Sequence, residues 1–248
     1  MQIPPRPDAF GEPDRLPPLA PLPTWRAWEA VAVFFAALLV AAIVDSIVQA
    51  AVTSCPGRYL GQLVAGEAGL AVAVIGWLRI VDHAPLAALG LPRRPWGDLA
   101  AGVATGAVLV VAGDGVLVIV RSIVTQVLGH APAQPDQVFT CVRGGWLIAV
   151  APAVIVAAPF GEELFFRGYL YKGLRRRFPV WVAALISAAA FGAGHFAGLS
   201  YLLLIPGLIV VGVGLALVYE RRQSLLASMA AHATFNVVGF IAIVVSRR

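Results

Sequence analysis

Long apolar runs alternate with short polar connections along this chain, and that alternation sets the first expectation. Apolar residues dominate about 27–52, 59–81, 99–128 and 146–160, the last continuing as a helix pattern to 177, and then about 180–197, 199–219 and 224–246. About 20 apolar residues let an α-helix cross roughly 30 Å of hydrocarbon. The fourth and fifth runs are borderline in length and are expected to be tilted or broken. The pattern predicts an all-α fold, a polytopic transmembrane helical bundle of about seven to eight spans. No internal repeat is visible.

Ahead of the first run, residues 1–26 contain eight prolines: Pro4, Pro5, Pro7, Pro13, Pro17, Pro18, Pro21 and Pro23. Proline fixes φ and removes a backbone donor, so a helix cannot propagate there. The stretch lacks the basic start and apolar core of a signal peptide. It reads as an extended cytosolic tail, 1–26, before an integral membrane domain, 27–248.

Composition agrees with a lipid solvent. The chain is 60% hydrophobic and 12% charged, with a mean hydropathy of +0.85. A soluble domain usually carries about 25% charged residues. The net charge of +5 comes from seventeen Arg and one Lys. Nucleic acid is not an expected partner, because the charges lie between apolar runs instead of forming one basic face. They orient the chain better than they bind anything. With the N-terminus in the cytosol, thirteen basic residues face inward, among them Arg93, Arg94, Arg167, Lys172, Arg175, Arg176, Arg177, Arg221 and Arg222. Five face outward: Arg58, Arg121, Arg143, Arg247 and Arg248. That asymmetry follows the positive-inside bias. The use of Arg over Lys, with abundant Ala, Val and Gly, suggests a GC-rich bacterial genome and hence a bacterial inner membrane. Cys55 and Cys141 fall in outer loops, where a disulfide is permitted. Two unpaired small residues is the plainer expectation there.

Ionisable groups inside a span cost about 2.5–3.5 kcal/mol each on insertion scales. Asp45, Glu67 and Asp114 are single acids in the first three runs, and each reads as a polar helix contact. The second half is denser. Glu162 and Glu163 follow a long apolar stretch, with Arg167 four residues beyond Glu163. On a helix, Glu163 and Arg167 share a face with the acid N-terminal to the base, the better order for pairing. Glu162 points about 100° away, so one acid is neutralised and one is left to work. His195 follows Phe191 by four, and Asn236 follows His232 by four. Measured from the nearest inner charges at about 1.5 Å per residue, Glu162, His195 and His232 lie about 20, 27 and 15 Å deep, which allows them to meet in one layer. A carboxylate and a histidine can hold and deprotonate a water, while a second histidine and an Asn amide can donate to an oxyanion. That equipment hydrolyses an amide. Ser187, the nearest hydroxyl, has no obvious nucleophile setting, so direct attack by water is expected.

These segments resemble the CPBP family, the CAAX protease and bacteriocin-processing membrane proteins, whose motifs read here Glu162-Glu163…Arg167, Phe191…His195 and His232…Asn236. Leu89-Gly90-Leu91 is also family-like. Arg221-Arg222-Gln223-Ser224 departs from the smaller residues usual before the last helix. The resemblance covers about 145–246. It implies an intramembrane endopeptidase in which Glu162 is the base, His195 assists, and His232 and Asn236 stabilise the oxyanion, with Glu163 and Arg167 as structural support. The substrate would be a membrane-associated or lipidated protein or peptide. Family members are often called metalloproteases, and zinc on Glu162, His195 and His232 would make a His2Glu site. Activation of water without a metal is the preferred reading here. A transporter or bacteriocin-immunity protein using the same polar cluster for binding is the alternative from another class. It would be favoured by pseudo-symmetric halves.

Overall fold

The structure is a computed structural model describing residues 23–90, 92, 94–132, 141–196 and 198–246. Seven helices carry it: α1 (Glu29–Ala51), α2 (Cys55–Ile80), α3 (Pro95–Leu128), α4 (Gly145–Leu174), α5 (Val180–Gly194), α6 (Ile205–Arg222) and α7 (Leu225–Ser246). Among the described residues there is no strand. Five helices (α1–α4 and α7) are long and apolar enough to cross a membrane. The all-α polytopic bundle is therefore present.

Prolines set several helix starts, because the first turn does not need their missing donor. Pro56, Pro95 and Pro206 occupy first-turn positions of α2, α3 and α6. Pro206 also explains a shift from the apolar pattern. The run expected over 199–219 begins as a short 3-10 turn, Leu199–Leu203, and the helix proper starts at Ile205.

Lipid explains the outer surface. Phe35, Leu39, Ile43 and Ile47 follow one another at four-residue steps along α1, and all are exposed. In water such a stripe would be an aggregation face; against acyl chains it costs nothing. Inside, small residues let helices close up, as membrane packing requires. A Cβ on Gly106 would lie 2.5 Å from the Ala231 carbonyl oxygen, so α3 crosses α7 almost backbone to backbone.

One end of the bundle is polar and tied together. Arg222 binds Asp98 at 2.6 Å, linking α6 to the start of α3. Tyr171 of α4 and Arg175 just past its end both reach the buried Glu220 of α6. Trp25 stacks on Tyr169 with ring centroids 5.0 Å apart and donates its indole N–H to the Tyr169 carbonyl. Arg176 donates to the carbonyls of Thr24 and Trp25. The last residues of the proline-rich stretch are thus strapped to the motif helix, while residues 1–22 lie outside the described residues, as do Leu91, Arg93, Arg247 and Arg248. At another connection Cys55 and Cys141 form a disulfide, with Cα atoms 6.1 Å apart, joining the start of α2 to the segment before α4. The plainer expectation of two unpaired cysteines gives way to that bond. Arg167 also differs from its expected place. It is fully buried in α4 and belongs to the site, not to an inner loop.

Candidate active site

The motif helix is irregular where the acids sit. Two widened π-type turns, Ala153–Ala157 and Leu164–Tyr171, flank Ala158–Glu163. Such bulges are frequent at functional sites. Their local cause can be read from the chain. The Ala158 N–H skips a residue and bonds the Ala153 carbonyl. The next donor in that register would serve the Val154 carbonyl, but it is Pro159, which has no N–H. Asn236 supplies the missing donor from α7: its Nδ2 lies 2.9 Å from the Val154 oxygen.

This pinning sets the acids against two histidines. Glu162 Oε1 lies 3.8 Å from His195 Nε2, and Glu162 Oε2 lies 3.8 Å from His232 Nε2. Glu163 faces the other way. Its Oε1 receives Arg167 Nη1 at 2.7 Å and His232 Nδ1 at 3.0 Å, all within the fully dry interior. Arg167 also donates Nη2 to the Gly212 carbonyl at 2.9 Å and lies 4.7 Å above the Phe191 ring. Phe191 in turn packs on both histidines. It is an apolar wall shared by both imidazoles and the Arg167 guanidinium.

The hydrogen bonds assign the ring protons. Glu163, engaged by a guanidinium, accepts; so His232 carries hydrogen on Nδ1. His195 sits just past the end of α5 and places Nδ1 2.8 Å from the Phe191 carbonyl, which also only accepts. Each ring therefore turns its Nε2 toward Glu162. Two ring nitrogens and a carboxylate facing one point suit a water, which has hydrogens to give and a lone pair to aim.

A cavity of about 200 Å³ opens beside this point, lined by Glu162, Phe166, Gly194 and His195, by Phe34, Ala37, Leu38 and Ala41 of α1, and by Gly66, Glu67 and Leu70 of α2. Side-chain exposure falls from 35% at His195 through 13% at Glu162 to 4% at His232. Access is therefore from the His195 side.

The sequence-derived residues Glu162, Glu163, Arg167, His195 and His232 all meet here, with Asn236 one contact away on Val154. Ser187 does not: its hydroxyl donates to the Phe166 carbonyl inside the packing. Glu67 was read only as a single intramembrane acid, and it lies on the cavity wall with Glu162. Its signal in the sequence was the cost of any lone carboxyl in an apolar span. Asp45, by contrast, is bonded within its own helix to Gln49.

Zinc on Glu162, His195 and His232 is the alternative to activation of water without a metal. A shared ion requires donors converging at about 2.0–2.2 Å. Each histidine lies 3.8 Å from one Glu162 oxygen, and among the described residues no three His, Cys, Asp or Glu side chains are grouped closely enough to hold a metal ion as they stand.

The helical bundle brings acids and histidines together beside an internal cavity, and comparison with known proteins finds one family similar to this part of the chain. Residues 144–238 match the family described as type II CAAX prenyl endopeptidase Rce1-like. That stretch runs from just before α4 into α7, so the part of the chain that carries the acids and histidines is similar to that family. No curated protein and no solved structure matches the chain.

Proposed function

We propose that the protein is an intramembrane endopeptidase that hydrolyses a peptide bond of a membrane-associated or lipidated protein by water activated between Glu162 and His195. The observation carrying this reading is the approach of both His195 and His232 to Glu162, each at 3.8 Å, from three separate helices. Scattered interhelical polar contacts would have no reason to share one point.

In this mechanism a water entering from the cavity donates one hydrogen to Glu162 and another to His195 Nε2. Its oxygen lone pair is thereby aimed at a carbonyl carbon held above it. Glu162 takes the proton as the water attacks, a general-base step worth about 10²–10⁴-fold. His232, between Glu162 and Glu163, would donate Nε2–H to the developing oxyanion when it carries both ring protons. Asn236 spends one amide hydrogen on Val154 and keeps the other for the oxyanion. Such preorganised donors are worth about 10²–10³-fold each. Glu163 and Arg167 hold His232 in register and touch no reacting atom. No metal is needed for these steps.

The same reading places the N-terminus in the cytosol of a bacterial cell, in the inner membrane, with the polar end of the bundle at the inner face. The strapped segment around Trp25, the pair Arg175–Glu220 and Arg176 lie at that end, which supports the orientation through the positive-inside bias. Peptide termini of the membrane proteome, compared between cells carrying the wild type and cells carrying Glu162→Ala, test the activity and find the substrate together. Termini present only with the wild type are the expected result. Identical sets, with both proteins inserted at equal levels, would leave binding without catalysis as the better account.

A further inference from the structure

Glu67 has no place in the reading above, and it lies outside the matched region of the chain. It stands on α2, across the cavity wall that also holds Glu162 and His195. The two glutamates are close enough to interact electrostatically. Its Oε2 is buried with no hydrogen-bond partner among the described residues. That atom lies against Gly161: a Cβ added there would meet the Glu67 carbonyl oxygen at 2.6 Å and Oε2 at 2.8 Å. The glycine directly before Glu162 thus lets α2 bring a second carboxyl to the working acid. A carboxyl oxygen buried without a partner in a span is expensive, so its position against the site calls for a chemical role.

Amide hydrolysis sets two proton demands. A proton leaves water as its oxygen bonds the carbonyl carbon, and a proton must reach the nitrogen as the C–N bond breaks, because an amide anion is a very poor leaving group. Glu162 meets the first demand. On α4 the only proton at hand for the second is the one Glu162 has just taken from water. His195 takes a hydrogen bond from the water, His232 is engaged with the oxyanion, and the Glu163 carboxylate is tied to Arg167. Two carboxyls facing one apolar cavity share a proton in preference to ionising together.

We propose that Glu67 is the acid partner of Glu162: the pair holds one proton, Glu162 accepts a second from water, and Glu67 gives its own to the departing amine. After C–N cleavage Glu162 holds the proton from water and Glu67 is the carboxylate. Transfer of that proton from Glu162 to Glu67 restores the starting pair, and the product acid releases the remaining water proton. No co-reactant is required. The groups facing Glu67 are Glu162 and His195, with apolar residues of α1 on the remaining wall. The inference rests on the endopeptidase reading.

The leaving group separates the two. Purified protein in liposomes is assayed with a fluorogenic prenylated CAAX-type peptide and with its ester counterpart, in which the scissile N–H is replaced by oxygen. An alkoxide departs with far less need of an acid. Glu67→Gln is expected to lower kcat on the amide by about 100-fold, as loss of general acid catalysis does, and on the ester by less than about 10-fold. Glu67→Asp, which retains a proton donor, is expected to recover part of the amide activity. Glu162→Gln is expected to lose both activities. Equal losses of Glu67→Gln on amide and ester, or none on either, would overturn the acid role while leaving the endopeptidase reading intact. If Glu67→Gln does not fold, Glu67→Asp carries the test alone: a matching fall on amide and ester overturns the role, and a fall confined to the amide supports it. Full activity of Glu162→Gln, or wild type that cleaves neither probe, counts against the endopeptidase reading itself.

Discussion

Replacing Arg167 with methionine keeps most of the side-chain volume and removes the charge that balances Glu163. The consequence can be worked from the contacts. Glu163 is fully buried; its Oε1 would keep only His232, and its Oε2 already lacks a partner. The Gly212 carbonyl would also lose its donor. Breaking a buried ion pair from one side costs about 3–5 kcal/mol, since the surviving charge stays dry. At about 1.4 kcal/mol per decade, that is roughly 10²–10⁴-fold in the folding equilibrium. Unfolding of the purified protein in mixed micelles, followed by tryptophan fluorescence at increasing SDS fraction, reads this loss. The double variant Glu163→Leu/Arg167→Met removes both charges and should regain at least half of it, because apolar replacement of a whole buried pair is often neutral. It should remain inactive, as His232 then has no acceptor on Nδ1. A loss below about 1 kcal/mol for Arg167→Met, the size typical of an exposed pair, would refute the view that Glu163 is held ionised in a dry interior.

Three further outcomes follow from other contacts. Asn236→Ala leaves the Val154 carbonyl bare and should cost about 1–3 kcal/mol; Pro159→Ala restores a backbone donor at that turn, so the double variant should lose less than the two single losses combined, and strict additivity would argue against the link. The Cys55–Cys141 bond should protect both thiols from maleimide labelling until a reductant is added, and removing it should cost about 2–4 kcal/mol; labelling of the untreated protein would show that the bond does not form. Asp82, just beyond α2, is pushed up to about 6 by its burial, with Glu29 adding to the rise and the Tyr169 hydroxyl opposing it. A raised folded-state value means that its contribution to stability is complete at low pH, below the ordinary carboxylate range near 3.9, and is lost as pH rises through about 6. Stability of the wild type should therefore fall across that window more than that of Asp82→Asn; parallel profiles would contradict the assignment.

Much of the site could be read from the chain because its parts are short-range. Glu163 and Arg167 pair at a helical spacing that sequence displays directly, and Glu162 is set apart by the same geometry. The meeting of His195 and His232 with Glu162 was expected from their depths, although His195 reaches it from the C-terminal end of α5 and not from mid-helix. Glu67 was not distinguishable. As a lone acid it resembles Asp45, and only the crossing of α2 over Gly161 separates a carboxyl aimed at the site from one bonded to Gln49 on its own helix. The widened turns around Ala158–Glu163 were equally hidden, since they arise when Pro159 and the partner on α7 act together. Arg167 was counted with the inner-loop charges because its position near a basic run looks the same in sequence as its true place beneath Phe191.

The central claim is that Glu162 activates water for peptide cleavage. The most direct test is the turnover of the prenylated peptide by purified Glu162→Gln in liposomes, with helicity and unfolding midpoint measured on the same preparation. The account predicts wild-type helicity and stability, with turnover lowered by about 10²–10⁴-fold. A correctly folded Glu162→Gln that cleaves within a few-fold of the wild type would contradict it.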